Sequence, residues 1–172
     1  MDITDLILDD HHQIRKLFAQ IEQIDRSDTE SLGAIWGRLN ALLDTHAEAE
    51  ERFFYPRLMQ IGTGGNDAPS AEEETEDAIE DHNKIRDASS AVNKEMVGSD
   101  AWFAAIGKAN EENGDHLAEE ERQGLTDFRE HATLEERHDL AVKFAAFSAA
   151  HITGVKPVDK DPDQWVADHA KK

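Results

Sequence analysis

The sequence predicts an all-α fold: an up-down-up-down four-helix bundle with a shorter appended C-terminal helix. Three observations predict it. Four long segments carry apolar residues at helical spacing. Aromatics make up only 6% of the chain and β-branched runs are nearly absent, which opposes a sheet. Helix-start signals recur where the periodic segments begin. With 172 residues, the chain fits one domain that can bury a core.

The first segment places Ile7, His11, Ile14, Phe18 and Ile21 on one helix face by steps of four and three. Leu32, Ile35, Leu39, Leu42, His46, Ala49 and Phe53 do the same in the second. The third carries Ala78, His82, Ile85, Ser89, Val92 and Met96. The fourth carries Trp102, Ile106, Ala109, Asn113, His116 and Glu120. Ser27-x-x-Glu30 and Ser70-x-x-Glu73 read as capping boxes, and Ser99 as an N-cap. Pro56 falls late in the second segment and is expected to kink or end it. Gly62 to Pro69 reads as a loop.

Thr133-x-x-Glu136 opens the appended helix, whose apolar residues are Leu134, Leu140, Phe144 and Phe147. The expected domain covers residues 1–153, with a bundle core over about 3–130 and the extra helix over about 133–151. Residues 154–172, rich in Pro and Asp, are expected to form a surface tail.

The formal net charge is −20, which repels nucleic acid and anionic membranes, so neither is an expected partner. A solvated acidic surface accounts for runs such as Glu72 to Glu76. There is no cysteine, which excludes disulfides, thiolate chemistry and iron–sulfur clusters. The start, MDITDLILDD, lacks a basic leader, and no apolar run approaches the roughly 18 residues of a membrane span. A cytoplasmic location is expected.

The chain repeats a two-helix unit. Asp10-His11-x-x-Ile14-Arg15 returns as Asp81-His82-x-x-Ile85-Arg86, 71 positions later. His46-x-x-x-Glu50-Glu51-Arg52 returns as His116-x-x-x-Glu120-Glu121-Arg122, 70 positions later. Residues at i and i+4 share a helix face, so each His-x-x-x-Glu pair can aim at one ion. Facing units would bring four histidines and two glutamates inside the bundle. Imidazole suits iron, and a carboxylate can bridge two metals. Six such ligands suit two ions that share bridges. Buried carboxylates without a partner are costly, which also favours a cation there.

A single buried histidine is ordinarily a hydrogen-bonded core residue, and one His-x-x-x-Glu arises by chance in a chain with 9 histidines. His131-x-x-x-Glu135 is such an accident: it straddles the Thr133 cap and has no repeat partner. His12 points away from the His11 face. His138 and His169 read as solvated, and His151 as a partner for a helix C-terminus.

In these motifs the chain resembles the hemerythrin-like proteins, or HHE cation-binding domains, over roughly residues 3 to 130. The resemblance implies a non-haem di-iron centre, with an oxo or hydroxo bridge between two iron ions. It implies ligand roles for His11, His46, Glu50, His82, His116 and Glu120, with the glutamates as bridges. Oxygen-carrying members have a His-x-x-x-His pair on the third helix, whereas here Arg86 follows His82 at i+4. Their fourth helix has His-x-x-x-x-Asp, whereas here it has His-x-x-x-Glu. Tyr55, the only tyrosine, is a candidate ligand for that gap; core packing with a bonded hydroxyl is its plain reading.

These departures favour redox chemistry on a small oxidant over simple oxygen carriage. The expected activity is catalase-like decomposition of hydrogen peroxide, making the chain a candidate oxidoreductase. Reversible oxygen or nitric oxide binding without turnover is the alternative, and iron storage a second one. The expected partner is therefore peroxide or a small diatomic ligand.

Overall fold

The computed structural model describes residues 1–64 and 70–170. The part of the anticipated loop at 65–69 lies outside them. Eight helices follow one another among the described residues: α1 (Ile3–Gln23), α2 (Thr29–Phe53), α3 (Tyr55–Ile61), α4 (Ala71–Val92), α5 (Asp100–Arg122), α6 (Gly124–His131), α7 (Leu134–Ala150) and α8 (Pro162–His169). The four long helices α1, α2, α4 and α5 form the bundle. α1 packs on α2 and α4 on α5, and α1–α5 and α2–α4 contacts join the two hairpins.

Three of the long helices, α1, α2 and α4, pass through three zones, while α5 ends at the polar layer and α6 continues into the last. α1 buries Ile3 and Ile7, then His11, then Ile14, Phe18 and Ile21. α4 runs from Ala78 and Ile79 through His82 to Ile85 and Val92. α2 runs the other way, from Leu39 and Leu43 through His46 to Ala49. The core is therefore two apolar clusters, one containing Ile7, Phe54, Ile79 and Phe128, the other Ile14, Leu39, Ile85 and Trp102. A layer of buried polar side chains lies between them.

Local chemistry sets the boundaries. Ser70 and Ser99 accept from the backbone N–H of Glu73 and Trp102, as their positions predict. Thr133 and Glu136 complete a reciprocal capping box on α7. The start of α2 differs from expectation: Asp28, not Ser27, caps it, because Asp25 binds both the N–H and hydroxyl of Ser27. Pro56 ends regular α2 as anticipated, since its ring removes a donor. The chain breaks at Phe54 and restarts as α3 with Pro56 in its first turn. A matching break at Gln123 makes α6 a separate helix.

Two apolar assignments and the tail need correction. Met96 lies beyond α4 and is 77% exposed. Leu134, at the first position of α7, is 75% exposed, and the helix buries Ala141 and Phe144 instead. The segment after residue 154 is more than a surface tail. It carries α8, which packs on α4 and buries Trp165.

Candidate metal centre

The polar layer holds the six repeat residues. His11 on α1, His46 and Glu50 on α2, and Glu120 on α5 form one group. Glu50, His82 on α4 and His116 on α5 form a second. Within each group the candidate ligand atoms all lie within 4.8 Å of one another, and every member is buried. His46 Nε2 stands 3.1 Å from Glu50 Oε1, and His11 Nε2 stands 3.1 Å from Glu120 Oε2. On the other side, His82 Nε2 is 3.3 Å from Glu50 Oε2 and 3.1 Å from His116 Nε2. Glu50 thus turns one oxygen toward each group.

The fit to a cation shows in what these atoms lack. His11 Nε2, His46 Nε2, both oxygens of Glu50 and Glu120 Oε2 are buried without a hydrogen-bond partner. Buried polar groups are ordinarily paired, and an uncompensated buried charge costs several kcal/mol. Five such atoms converging on one place have the donor chemistry of a metal centre: imidazole nitrogens and carboxylate oxygens. The electrostatics agree. Burial, reinforced by the negative charge of Glu120, raises the Glu50 carboxyl well above its ordinary range. A cation between the groups would remove that penalty.

Three of the four imidazoles are hydrogen-bonded from behind by a carboxylate, and the fourth, His116, faces one at longer range. His11 Nδ1 lies 2.9 Å from Glu121 Oε1, and His82 Nδ1 2.8 Å from Glu51 Oε1. His46 Nδ1 lies 3.3 Å from Asp10 Oδ2, and His116 Nδ1 3.8 Å from Asp81 Oδ2. A carboxylate at Nδ1 keeps the proton there and leaves the Nε2 lone pair facing inward. Arg15 donates to Glu121 and Arg86 to Glu51, each at 2.7 Å. Burial pushes the Glu51 carboxyl up, but His82, Arg86 and Lys160 outweigh it and hold it at about 2. For His82, burial dominates over the Glu51 hydrogen bond, and its pKa falls to about 4.

Tyr55 reaches this layer through the break before α3. It is buried, and its hydroxyl donates to Glu120 Oε1 at 2.6 Å. Burial, with the charges of Glu120 and Glu50, raises the phenol well above its ordinary value. Tyr55, His116 and Glu120 also line a cavity of about 20 Å³, together with Asp81 and Glu119. That volume accepts a guest close to water in size.

Comparison with known proteins bears directly on this layer. The family model for the hemerythrin HHE cation binding domain matches residues 2–142. The chain belongs to that family. The match extends past residue 130 into α7, further than the motifs alone indicated. Among solved structures, the hemerythrin HHE cation binding domain-containing protein of Mycobacterium kansasii has a similar fold. Its TM-score is 0.75, with 20% identity over 88% of each chain. Among curated proteins, a DNA nickase of Nostoc sp. (strain PCC 7120) is 32% identical over 76 residues. That alignment covers 44% of this chain and 21% of the nickase.

In this HHE domain the six repeat residues come together as their spacing predicts, and the other histidines stay apart. His12 and His138 are exposed. His131 bonds to Asp127 rather than to any partner of Glu135, and His151 bonds to Phe147 O at the end of α7. His169 is half-buried against Trp165 rather than fully solvated. What the motif reading did not assign is the outer shell: Asp10, Asp81, Glu51, Glu121, Arg15 and Arg86. The signal was present, because all six belong to the repeat.

Proposed function

We propose that this HHE domain is a non-haem di-iron protein that decomposes hydrogen peroxide. The small cavity ending on Tyr55, His116 and Glu120 carries the reading. It has room for a water-sized oxidant beside the candidate ligands. His11, His46, Glu50 and Glu120 would hold one iron, and Glu50, His82 and His116 the other. Two irons so held supply the valence cycling that converts two peroxides into one dioxygen and two waters.

The protein's own groups have separate tasks. Glu50 spans both positions. Asp10, Glu121 and Glu51 orient the imidazoles of His46, His11 and His82. Tyr55 holds a proton at its hydroxyl oxygen on the cavity wall, against Glu120. The second group has three donors where the first has four; the Tyr55 ring stands beside His82 of the poorer one, and its hydroxyl meets Glu120 of the other. We propose Tyr55 as a seventh ligand, which would give up that proton and bind as a phenolate. Iron-loaded protein should then show a visible phenolate-to-iron band that Tyr55→Phe removes; an unchanged spectrum assigns Tyr55 to the Glu120 hydrogen bond alone.

The test is metal analysis followed by turnover. Two irons per chain, near-ultraviolet bands of a bridged diferric pair, and oxygen evolution from peroxide lost in His46→Ala are expected. Fully iron-loaded protein that evolves no oxygen would overturn the catalytic reading. The cavity also admits a diatomic gas, so the second reading is reversible oxygen or nitric oxide binding. It predicts a stoichiometric, reversible spectral change in the reduced protein without turnover. Storage is the weaker reading, since six donors in two compact groups fit two ions rather than a mineral. The nickase match does not alter the proposal: a net charge of −20 opposes a phosphate backbone.

A further inference from the structure

The segment after α7 reaches the centre through one side chain. Gly154, at φ +98°, turns it against α2, where a Cβ would stand 3.3 Å from Ala41. Lys160 follows. Its N–H donates to Asn83 Oδ1 at 3.0 Å, and Asn83 Nδ2 donates to Lys160 O at 2.7 Å. Its ammonium donates to Glu48 at 2.8 Å and to Glu51 Oε2. α8 then anchors the segment on α4 through buried Trp165.

These contacts converge on His82. Asn83 is its neighbour in the chain, and Glu51 Oε1 receives both His82 Nδ1 and Arg86. The other oxygen of Glu51 is left to Lys160. The Glu51 side chain is 1% exposed, so losing Lys160 strips one oxygen of a buried carboxylate of its partner. The surroundings of His11 are built differently. Glu121 there binds His11 and Arg15 with its side chain 30% exposed, and His12 takes the position of Asn83. Among the described residues no lysine reaches Glu121.

We propose that Lys160 is a positioning residue for one metal position only, that of Glu50, His82 and His116. It acts through Glu51, as a strap that locks the His82 ring. The proposal rests on the di-iron reading. The carboxylate partner of a ligating histidine typically contributes about 10- to 100-fold in metal affinity, and Lys160 acts one contact further out, on Glu51. Lys160→Ala should therefore release one of two irons to a chelator faster than the wild type, by up to about tenfold. The iron left behind should give the same optical and Mössbauer spectrum as His82→Ala, which is expected to keep only the other iron. Lys160→Arg should restore retention, and circular dichroism should show that all variants are folded.

Equal loss of both irons in Lys160→Ala, or retention of both at the wild-type rate, would overturn the strap while leaving the centre intact. Wild-type protein that loads fewer than two irons overturns the centre itself and the strap with it. The wild-type control distinguishes the two failures.

Discussion

The two halves of the candidate centre, one around His11 and one around His82, share one wiring diagram and differ in what covers it. In the first half, Arg15, Glu121 and His11 form a chain in which Arg15 is 42% exposed. In the second, Arg86, Glu51 and His82 form the same chain with Arg86 5% exposed. The appended segments make this difference. α7 packs on α1 and α2, setting Phe144 edge-on to His46 at 6.4 Å. The strap crosses α2 and α8 packs on α4, setting Lys160 on Glu51. The repeat thus determines the donor set, and the non-repeated segments determine how dry each donor is. The same carboxylate contributes more to orienting its histidine where water is excluded.

The largest expected effect tests what the halves share. Glu50→Ala removes the one residue common to both groups, so purified protein should retain neither iron. Glu120→Ala removes a donor from the first group only and should retain one. Metal content per chain after gel filtration checks both. A Glu50→Ala protein that keeps one tightly bound iron would show that the halves do not share a carboxylate.

Next comes the cover of the first half. Phe144 is 2% exposed, and truncating a buried phenylalanine costs about 3–5 kcal/mol. Phe144→Ala should lower metal-free stability by that amount in denaturant titrations. A loss below about 1 kcal/mol would mean that α7 is not part of the cooperative unit.

The sequence made the centre legible because helical spacing and the repeat select the same residues. His11 and His82 each interrupt an apolar stripe that continues on both sides. The carboxylates behind the histidines repeat too, but helical spacing alone hides their role: Glu51 and Glu121 sit one position past the inward glutamates, where a charged side chain ordinarily meets water. Only tertiary packing turns them onto His82 and His11. Trp165 was missed likewise, since one tryptophan in a Pro- and Asp-rich segment carries no periodicity. The α5–α6 break at Gln123 has no proline to announce it. Gly124 follows it, and a Cβ there would meet the Glu74 carboxylate at 2.9 Å, a constraint visible only across helices.

A smaller effect sharpens the contrast between the shells. Glu51→Ala should weaken iron binding about 100-fold and Glu121→Ala about tenfold, the two ends of the usual range for such partners. Competition with a chelator measures both. Equal losses would show that burial does not amplify the carboxylate.

The smallest effect lies at the outermost contact of the first half. Arg15 meets Glu121 at 2.7 Å, but both side chains are substantially wet. Exposed pairs contribute roughly 0–1 kcal/mol, so Arg15→Ala should change stability by less than about 1 kcal/mol. Iron affinity should stay within about threefold, because Glu121 keeps its bond to His11 without the arginine. What effect there is should vanish at 1 M salt, where the screening length falls to about 3 Å. The Glu51 chain is shielded from solvent and should keep its effect at that salt. If Arg15→Ala instead matched Glu121→Ala at every ionic strength, the first half would be as dry as the second. The difference between them would then have to come from Lys160 alone.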